Sequence, residues 1–264
     1  MVPEIEAKSM RITWLAHSGF LVEGKEATLV FDWFQDPADA VEEFFRLRRA
    51  SALPPVPVYF FVSHAHADHC SPGILRYAGE PGVAYVLEED AARSLLREEG
   101  AGSRPVADQV LRMRPGQTAT AGPLGIRTFG STDQGVSFLV EVDGHRVFHA
   151  GDLNDWYWEN ESTEAELAAD EAAYDRIVAD VAATMLTFEP PFLAVAMLPL
   201  DPRLGRHADR GILRFLDAVS TRNVVPMHLP EKTGLPGLLA RALAGRAKVI
   251  AFDGPGESNG IQIP

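Results

Sequence analysis

The first half of the chain alternates between short apolar runs and stretches whose apolar residues recur at helical spacing. Runs rich in β-branched and aromatic residues predict strands, whereas apolar positions three and four residues apart predict helices. The predicted strands are Arg11–Leu15, Phe20–Val22, Thr28–Phe31, Val56–Val62 and Val83–Val86. The predicted helices are a segment that follows Asp36-Pro37 and ends at Ala50, then Ser71–Tyr77 and Glu88–Glu99. We therefore expect the chain to open as a β-meander and then to alternate strands with helices.

The second half begins with short apolar runs punctuated by turn dipeptides. From Val106 to Phe148 these are Pro115-Gly116, Gly122-Pro123 and Asp143-Gly144, which predict antiparallel strands and hairpins. An alanine- and glutamate-rich segment from Glu161 to Leu186 predicts a long helix. The remaining predicted strands are Phe192–Met197, Val224–Val225 and Val249–Phe252, and the remaining helices are Asp209–Ser220 and Leu235–Leu243. Both halves mix strands with helices, which predicts an α/β protein with two sheets.

Composition limits the class of protein. The chain has 264 residues, of which 46% are hydrophobic and 23% charged, as in ordinary globular proteins. This length suits one domain over residues 1–264 with its own core. No apolar run reaches 18 residues, so we expect no membrane association. The opening residues lack the pattern of a signal peptide, and one cysteine excludes an intramolecular disulfide, so we expect a cytoplasmic location.

Net charge favours a small molecule as partner. The chain carries 24 basic and 37 acidic residues, for a net charge of −13. Such a charge repels polyanions, whereas nucleic-acid-binding proteins carry a basic patch or stripe. We therefore expect a small-molecule substrate and no nucleic acid, and leave a homo-oligomer open.

Four potential metal ligands follow the predicted strand Val56–Val62 within a few residues. His64, His66, Asp68 and His69 form an H-x-H-x-D-H motif that holds three of the eight histidines in the chain. An extended segment projects alternate residues to one side, so His64, His66 and Asp68 are expected to converge and His69 to serve a second ion. Imidazole and carboxylate suit Zn²⁺, with Mn²⁺ or Fe²⁺ as alternatives. The motif therefore predicts two adjacent metal sites.

The motif resembles the signature of the metallo-β-lactamase fold superfamily of metal-dependent hydrolases. Phe148-His149-Ala150-Gly151-Asp152 is similar to the strand that ends in a bridging aspartate in that family, and Val224-Val225-Pro226-Met227-His228 to its last strand, which ends in histidine. The segment from Trp14 to Phe20 and the Pro-Met-His ending look most like the lactonase branch that includes ascorbate-phosphate lactonases. The resemblance covers nearly the whole chain and implies an αββα sandwich.

The resemblance also implies a ligand set. The first metal would be bound by His64 and His66, the second by Asp68, His69 and His228, and Asp152 would bridge the two. It implies one or two divalent transition-metal ions per chain and a metal-bound hydroxide as nucleophile. The residues closest to the chemistry would then be His64, His66, Asp68 and Asp152.

One segment departs from the family's pattern. The third motif of the family supplies a histidine to the first metal, but the corresponding segment here, Phe129–Gly135, contains none. Asp133 could substitute, Ser131 and Thr132 could contribute oxygen contacts, or two imidazoles and water could hold the ion. We expect a weaker first site, because Asp-Gln-Gly is also ordinary turn chemistry.

Several further side chains are candidates for support of the ligands or for contact with substrate. They are His17, Asp32, Trp156, Asp201, Arg203 and His207. By resemblance, Asp32 would support the metal-binding loops through hydrogen bonds. Arg203 or Arg206 could hold a phosphate or carboxylate group. His149 and Cys70 are expected to be core residues beside the site.

Three functions are compatible with this pattern. We favour a hydrolase that opens an ester, lactone or phosphoester bond of a small anionic molecule. The alternative is a metal-binding but weakly catalytic sensor or scaffold, which the missing third-motif histidine supports. A ribonuclease Z-like nuclease would keep the same metal residues but needs an RNA-binding arm, and the sequence shows neither a basic insertion nor a long glycine-rich arm.

Overall fold

The computed structural model describes residues 9–97, 105–230 and 233–262. The chain divides into two compact units. Unit 1 takes its residues from Met1–Met113, Thr120–Leu124 and Phe252–Pro264, and unit 2 from Arg114–Ala119 and Gly125–Ala251. The single domain expected over 1–264 stays a prediction.

Unit 1 holds a seven-stranded mixed sheet. Its strands are β1 (Ser9–Ala16), β2 (Gly19–Glu23), β3 (Thr28–Phe31), β4 (Val58–Val62), β5 (Val83–Glu88), β6 (Val110–Met113) and β14 (Ser258–Gln262). The order in the sheet is β14-β1-β2-β3-β4-β5-β6. Pairing is antiparallel from β14 to β3 and parallel from β3 to β6. The predicted meander is confirmed, whereas β14 was not predicted.

The helices of unit 1 pack their apolar side chains against this sheet. They are α1 (Ala40–Ala50), α2 (Glu89–Arg97) and a 3₁₀ helix at Pro72–Tyr77, and a further short 3₁₀ helix spans Ala107–Gln109. Helix α1 follows Asp36-Pro37 and ends at Ala50 as predicted, and the Asp36 carboxylate accepts hydrogen bonds from the backbone N–H groups of Ala40 and Val41, at 2.9 and 2.7 Å. Phe45 of α1 stacks on Tyr77 at 4.2 Å between ring centroids. The end predicted for α2, from Glu98 to Gly100, lies outside the described residues.

The second sheet is also seven-stranded and mixed. Its strands are β7 (Thr118–Ala121), β8 (Leu124–Phe129), β9 (Ser137–Val142), β10 (His145–His149), β11 (Leu193–Pro199), β12 (Thr221–Met227) and β13 (Lys248–Val249). The order is β13-β12-β11-β10-β9-β8-β7. Strands β8 to β10 are antiparallel and β10 to β13 are parallel. The antiparallel strands predicted within Val106–Phe148 are confirmed for β8 to β10, and β11 and β12 confirm two later strands. Strand β6 of the same segment instead pairs parallel with β5 in the first sheet, and the strand predicted at Val249–Phe252 overlaps β13 only at Val249.

The α-helices of unit 2 are α3 (Glu164–Met185), α4 (Arg210–Ala218) and α5 (Leu235–Ala242), close to the predicted bounds, and a 3₁₀ helix spans Pro202–His207. The α3 N-terminus carries a capping box, in which Thr163 and Glu166 exchange side-chain and backbone hydrogen bonds. Helix α4 packs on β11 and α3. Among the helices in the described ranges, none combines the length and the apolar character needed to cross a bilayer.

Parallel pairing places polar residues together in each unit, because the carboxyl ends of adjacent parallel strands lie at one edge of a sheet. In unit 1, Asp32 follows β3 and His64 lies just beyond β4. In unit 2, Asp152, Asp201 and His228 lie just beyond β10, β11 and β12. Each unit therefore gathers candidate ligands and supporting carboxylates at one edge of its sheet.

The segment after β10 is held against α4 by close packing. The side chain of a residue at position 211 would place its Cβ only 2.0 Å from the Oδ1 atom of Asn154, so glycine allows this approach. The Tyr174 hydroxyl donates to the Gly211 carbonyl at 2.6 Å, and the buried Asp155 carboxylate accepts from Arg210 Nε at 2.6 Å. Burial raises the pKa of Asp155, although Arg210 and Arg214 oppose the shift.

Gly211→Ala is expected to destabilise the protein by about 1–3 kcal/mol, the usual cost of overpacking, although alanine is the better helix former. The measurement is urea unfolding. Gly237→Ala in α5 is the matched control, because its Cβ would have no neighbour within 4 Å. Equal unfolding midpoints for the two variants would contradict the close approach of α4 and Asn154.

Candidate metal centre

The H-x-H-x-D-H motif folds as a turn. Strand β4 ends at Val62, and the backbone N–H groups of His69 and Cys70 both donate to the His66 carbonyl, at 3.1 and 2.9 Å. The ring centroid of His64 lies 4.7 Å from that of His66 and 4.2 Å from that of His69. The extended arrangement expected from His64 to Asp68 is therefore wrong, because the chain has already left the strand.

The turn sorts the ligand atoms of unit 1 into two groups. One nitrogen of His64 and one of His66 lie within 4.8 Å of each other. Ligand atoms of Asp68, His69 and His17 also lie within 4.8 Å of one another. His17, in the turn between β1 and β2, was expected only to support ligands or contact substrate, and its place beside Asp68 and His69 makes it a further candidate ligand. The division between a first and a second metal stays a prediction.

Asp32 fixes the orientation of two of these imidazoles. Its fully buried carboxylate accepts hydrogen bonds from the Ser63 backbone N–H at 2.8 Å, from Ser63 Oγ at 2.6 Å and from His69 Nδ1 at 2.8 Å. Because Ser63 Oγ donates to Asp32, it can accept from His64 Nδ1 at 2.9 Å. Both histidines then carry the proton on Nδ1 and present Nε2 as the metal-binding nitrogen.

Unit 2 contains a second carboxylate–histidine pair. His228 Nδ1 lies 3.0 Å from Asp201 Oδ2, and His228 Nε2 lies 3.7 Å from Asp152 Oδ1. Burial opposes ionisation of Asp201, but the hydrogen bonds from His228 and Arg203 outweigh it and lower the pKa of this carboxyl group. Asp201 therefore stays ionised at neutral pH and holds His228 with Nε2 on the side of Asp152.

A cavity of about 300 Å³ lies beside this pair. Its lining residues in the described ranges are Thr132, Asp133, Asp152, Trp156, Trp158, Asp170, Arg203 and His228. The rings of Trp156 and Trp158 are parallel, with centroids 6.1 Å apart, and Trp156 lies 5.5 Å from the His228 ring. The Arg203 guanidinium pairs with Asp201 and lies 5.6 Å from the Trp158 ring centroid. The cavity can thus offer an aromatic wall and a cation next to a candidate ligand.

The segment that lacks the third-motif histidine holds the Asp152 loop. Thr132 Oγ1 donates to the Asn154 carbonyl at 2.6 Å and accepts from the Asn154 N–H at 2.9 Å. Asp133 is exposed, and it belongs to no group of three or more potential ligands within the described part of the chain. The Thr132 hydroxyl is therefore already hydrogen-bonded to the backbone of Asn154. Asp133 is poorly placed to replace the imidazole of the third motif.

Asp133→Asn is expected to leave the number of bound metal ions per chain unchanged, because this side chain lies outside the ligand groups. The measurement is metal content per chain at saturating metal. The companion variant is Ser131→His, since Thr132 is needed for the Asn154 hydrogen bonds, and it should raise occupancy of the first site. A loss of one ion per chain in Asp133→Asn would show that Asp133 is a ligand.

The other predicted residues lie outside the cavity beside Asp152 or deeper in the core. His207 Nε2 lies 3.3 Å from the Glu159 carboxylate, and its ring packs on Tyr157 at 4.6 Å. His149 is buried, and its Nδ1 accepts from the Gly151 N–H at 3.2 Å. Sequence reasoning missed Ser63, whose position directly before the motif was the available signal.

Three residues of the candidate site have a left-handed backbone, which side chains other than glycine rarely adopt. The φ angles are 50° at His17, 40° at Asp32 and 60° at His228. Such a conformation costs roughly 1–2 kcal/mol per residue relative to the right-handed form. The surrounding structure therefore has to hold these three side chains in place.

The donor sets fit a divalent transition metal. Unit 1 supplies His64 and His69, whose Nδ1 atoms are engaged by Ser63 and Asp32, together with the Asp68 carboxylate. Unit 2 supplies His228, whose Nδ1 is engaged by Asp201, together with the Asp152 carboxylate. Hydrogen bonds to Nδ1 are the usual means by which proteins orient metal-binding histidines. The residues are therefore suited to a metal ion, whose identity they do not fix.

Comparison with known proteins also indicates a metal-dependent protein. The family model described as "Beta-lactamase superfamily domain" matches residues 30–229. A UPF0173 metal-dependent hydrolase from Korarchaeum cryptofilum is 24% identical over 262 residues, which cover 94% of this chain and 98% of that protein. Other relatives with this description match over 60 to 64% of their length.

Two solved structures share the fold. Igni18, a metallo hydrolase from Ignicoccus hospitalis, has a TM-score of 0.65 at 19% identity and covers 97% of this chain and 100% of its own. The metallo-β-lactamase fold protein YhfI from Bacillus subtilis has a TM-score of 0.58 at 15% identity, covering 96% and 99%. These likenesses confirm the predicted α/β fold class with two mixed sheets.

Proposed function

The chain belongs to the beta-lactamase superfamily domain family and is a metal-dependent hydrolase of that superfamily, and we propose that it cleaves an ester, lactone or phosphoester bond of a small anionic molecule. The observation that carries the proposal is the repeated carboxylate–histidine pair, Asp32 with His69 and Asp201 with His228. Such pairs orient imidazoles for a metal rather than for packing alone.

The proposed ligands are those predicted from the sequence: His64, His66, Asp68, His69, Asp152 and His228. We propose Zn²⁺ as the ion, with Mn²⁺ or Fe²⁺ as alternatives, and one or two ions per chain. When bound, such an ion acidifies a coordinated water so that it can attack near neutral pH. Ser63 and Asp32 keep the protons of His64 and His69 on Nδ1, and Asp201 does the same for His228.

The cavity beside Asp152 is the proposed substrate site. Trp156 and Trp158 would pack against an apolar face of the substrate. Among the described residues that line this cavity, Arg203 is the one arginine, and it would hold the anionic group of the substrate. Asp133 and Asp170, which also line the cavity, disfavour a second negative charge on the substrate. The net charge of −13 supports a small substrate rather than RNA or DNA, and we propose that the protein acts in the cytoplasm.

The test is turnover by protein loaded with Zn²⁺, Mn²⁺ or Fe²⁺ on an aryl ester, a γ-lactone and a phosphodiester, each with and without EDTA. Activity on at least one substrate, lost with EDTA and restored by metal, is the expected result. Metal binding without turnover of any of the three would favour the sensor or scaffold instead. Salt-sensitive binding of RNA would favour the nuclease.

The anionic substrate has its own test. Arg203→Gln should raise KM about tenfold for a carboxylate-bearing ester and less for its neutral analogue, the effect of losing one charge-assisted hydrogen bond. Arg206→Gln is the matched control, because Arg206 pairs with Glu159 and does not line the cavity. Equal KM values for the parent and Arg203→Gln with the anionic ester would contradict the role of Arg203.

A further inference from the structure

Unit 1 contains a second cavity that no candidate ligand lines. Its volume is about 460 Å³, and its walls come mainly from β1, β2, β3, β14, α1 and residues 51–56. Sites for small organic ligands usually have volumes of about 300–1,000 Å³. The cavity therefore has the size of a ligand site.

Most of its wall is apolar. The apolar lining residues include Leu21, Phe44, Leu47, Leu53 and Pro54. Leu53 is 76% exposed, so a ligand in the cavity could cover part of its surface. A ligand that fits this wall has a hydrocarbon part, because burial of apolar surface is the available driving force.

Two of the charged residues in the lining are already neutralised by each other. Arg11 Nε and Nη2 both donate to the Glu23 carboxylate at 2.5 Å, and Glu23 is buried. A third, Glu43, is exposed and pairs with Arg46, which does not line the cavity. These groups contribute no net charge that a ligand would have to balance.

Arg48 differs from the other charged residues of the wall. Its side chain is only 8% exposed, and it donates to the backbone carbonyl oxygens of Val56, at 3.3 Å, and Pro81. Its Nε is buried and donates no hydrogen bond to any residue in the described ranges. Burial lowers the pKa of this guanidinium.

The nearest carboxylate does not fully balance Arg48. Glu80 Oε2 lies 4.0 Å from Arg48 Nη1, and Glu80 Oε1 accepts from Arg49 Nε at the much shorter distance of 2.7 Å. A buried cation whose counterion is shared is stabilised by a further anion. The lining thus combines an apolar wall with a cation that an anionic group would complement.

We propose that this cavity binds a small amphipathic anion, with its hydrocarbon chain against Leu21, Phe44 and Leu47 and its carboxylate at Arg48. The site is independent of the proposed hydrolytic centre. Octanoate has this chemistry and serves as the probe, with 1-octanol as its neutral counterpart and octyltrimethylammonium as its cationic counterpart.

Titration calorimetry of the purified, metal-loaded protein tests the proposal. Octanoate should bind with one site per chain, about tenfold more tightly than 1-octanol, the gain expected from one charge-assisted hydrogen bond, and the cation should not bind. Absence of saturable octanoate binding, or equal affinity for octanoate and 1-octanol, would overturn the proposal.

Variants of α1 locate the site. Arg48→Gln should weaken octanoate about tenfold and leave 1-octanol unchanged, whereas Arg46→Gln on the same helix should change neither. Leu47→Trp fills the cavity and should abolish binding of both probes. The Leu47→Trp variant also tests the proposed cavity if Arg48→Gln fails to fold.

Binding at the metal centre would give the opposite pattern. Octanoate binding that is lost in His69→Ala and retained in Leu47→Trp would place the carboxylate on the metal and refute the proposed cavity. Unchanged affinity in a folded Arg48→Gln protein would refute the role of Arg48.

Discussion

His69→Ala is expected to bind at least one divalent ion fewer per chain than the unmodified protein. His69 is fully buried, its Nδ1 is held by Asp32 at 2.8 Å, and its ring lies 4.2 Å from that of His64. Loss of an outer partner alone lowers metal affinity by about 10- to 100-fold, so loss of the ligand should cost more than that. Metal analysis after gel filtration in metal-buffered solution measures the difference.

The control for this experiment is His207→Ala. His207 pairs with Glu159 and packs on Tyr157, and it belongs to neither group of candidate ligands in the described chain. Its removal should leave the metal content unchanged, and circular dichroism should show both variants to be folded. Unchanged metal content in His69→Ala would rule out His69 as a ligand.

Asp201→Asn is expected to weaken metal binding by about 10- to 100-fold, although Asp201 is not a proposed ligand. The Asp201 carboxylate lies 3.0 Å from His228 Nδ1, and an asparagine amide can rotate to present a donor there instead of an acceptor. Arg203→Gln is the matched variant, because it removes the other partner of Asp201 and keeps His228 in contact. If both variants lose metal equally, Asp201 acts through local structure and not through His228.

The pH dependence of stability gives Asp201 a second readout. Its pKa is lowered in the folded protein by His228 and Arg203 in spite of burial, so its contribution to stability is present above the unfolded value of about 4 and is lost as pH falls. The stability difference between the parent and Asp201→Asn in metal-free protein should therefore shrink below about pH 4. A difference that stays constant under acid would contradict the lowered pKa.

The fold was largely predictable because its strands are short apolar runs with clear turns between them. Strand β14 was missed because Ser258, Asn259 and Gly260 give it no apolar pattern, and it becomes a strand by pairing with β1. Helix α1 follows Asp36-Pro37 as predicted, but the hydrogen bonds of the Asp36 side chain to the first turn of the helix were not predicted. Both features arise from hydrogen bonds that periodicity does not encode.

The candidate ligands were predictable from spacing, but their supports were predictable only in part. Asp32 was found by resemblance, whereas Ser63 was not, because a serine before a motif has many ordinary roles. The partners Asp155 and Arg210 lie 55 positions apart in sequence, so only the folded chain pairs them. The turn at His66 was likewise missed: the strand ends at Val62 as predicted, but the alternate spacing of His64, His66 and Asp68 was interpreted as an extended segment.

The left-handed backbone of the candidate site makes thermal stability and metal binding favour different residues at the same positions. Glycine or asparagine at positions 17 and 228 would relieve backbone strain that histidine imposes. A variant library selected only for survival of heating should therefore enrich glycine and asparagine at these two positions. The same library selected for retained metal should keep His228. The two selections are therefore expected to favour different residues at position 228, where the backbone is left-handed.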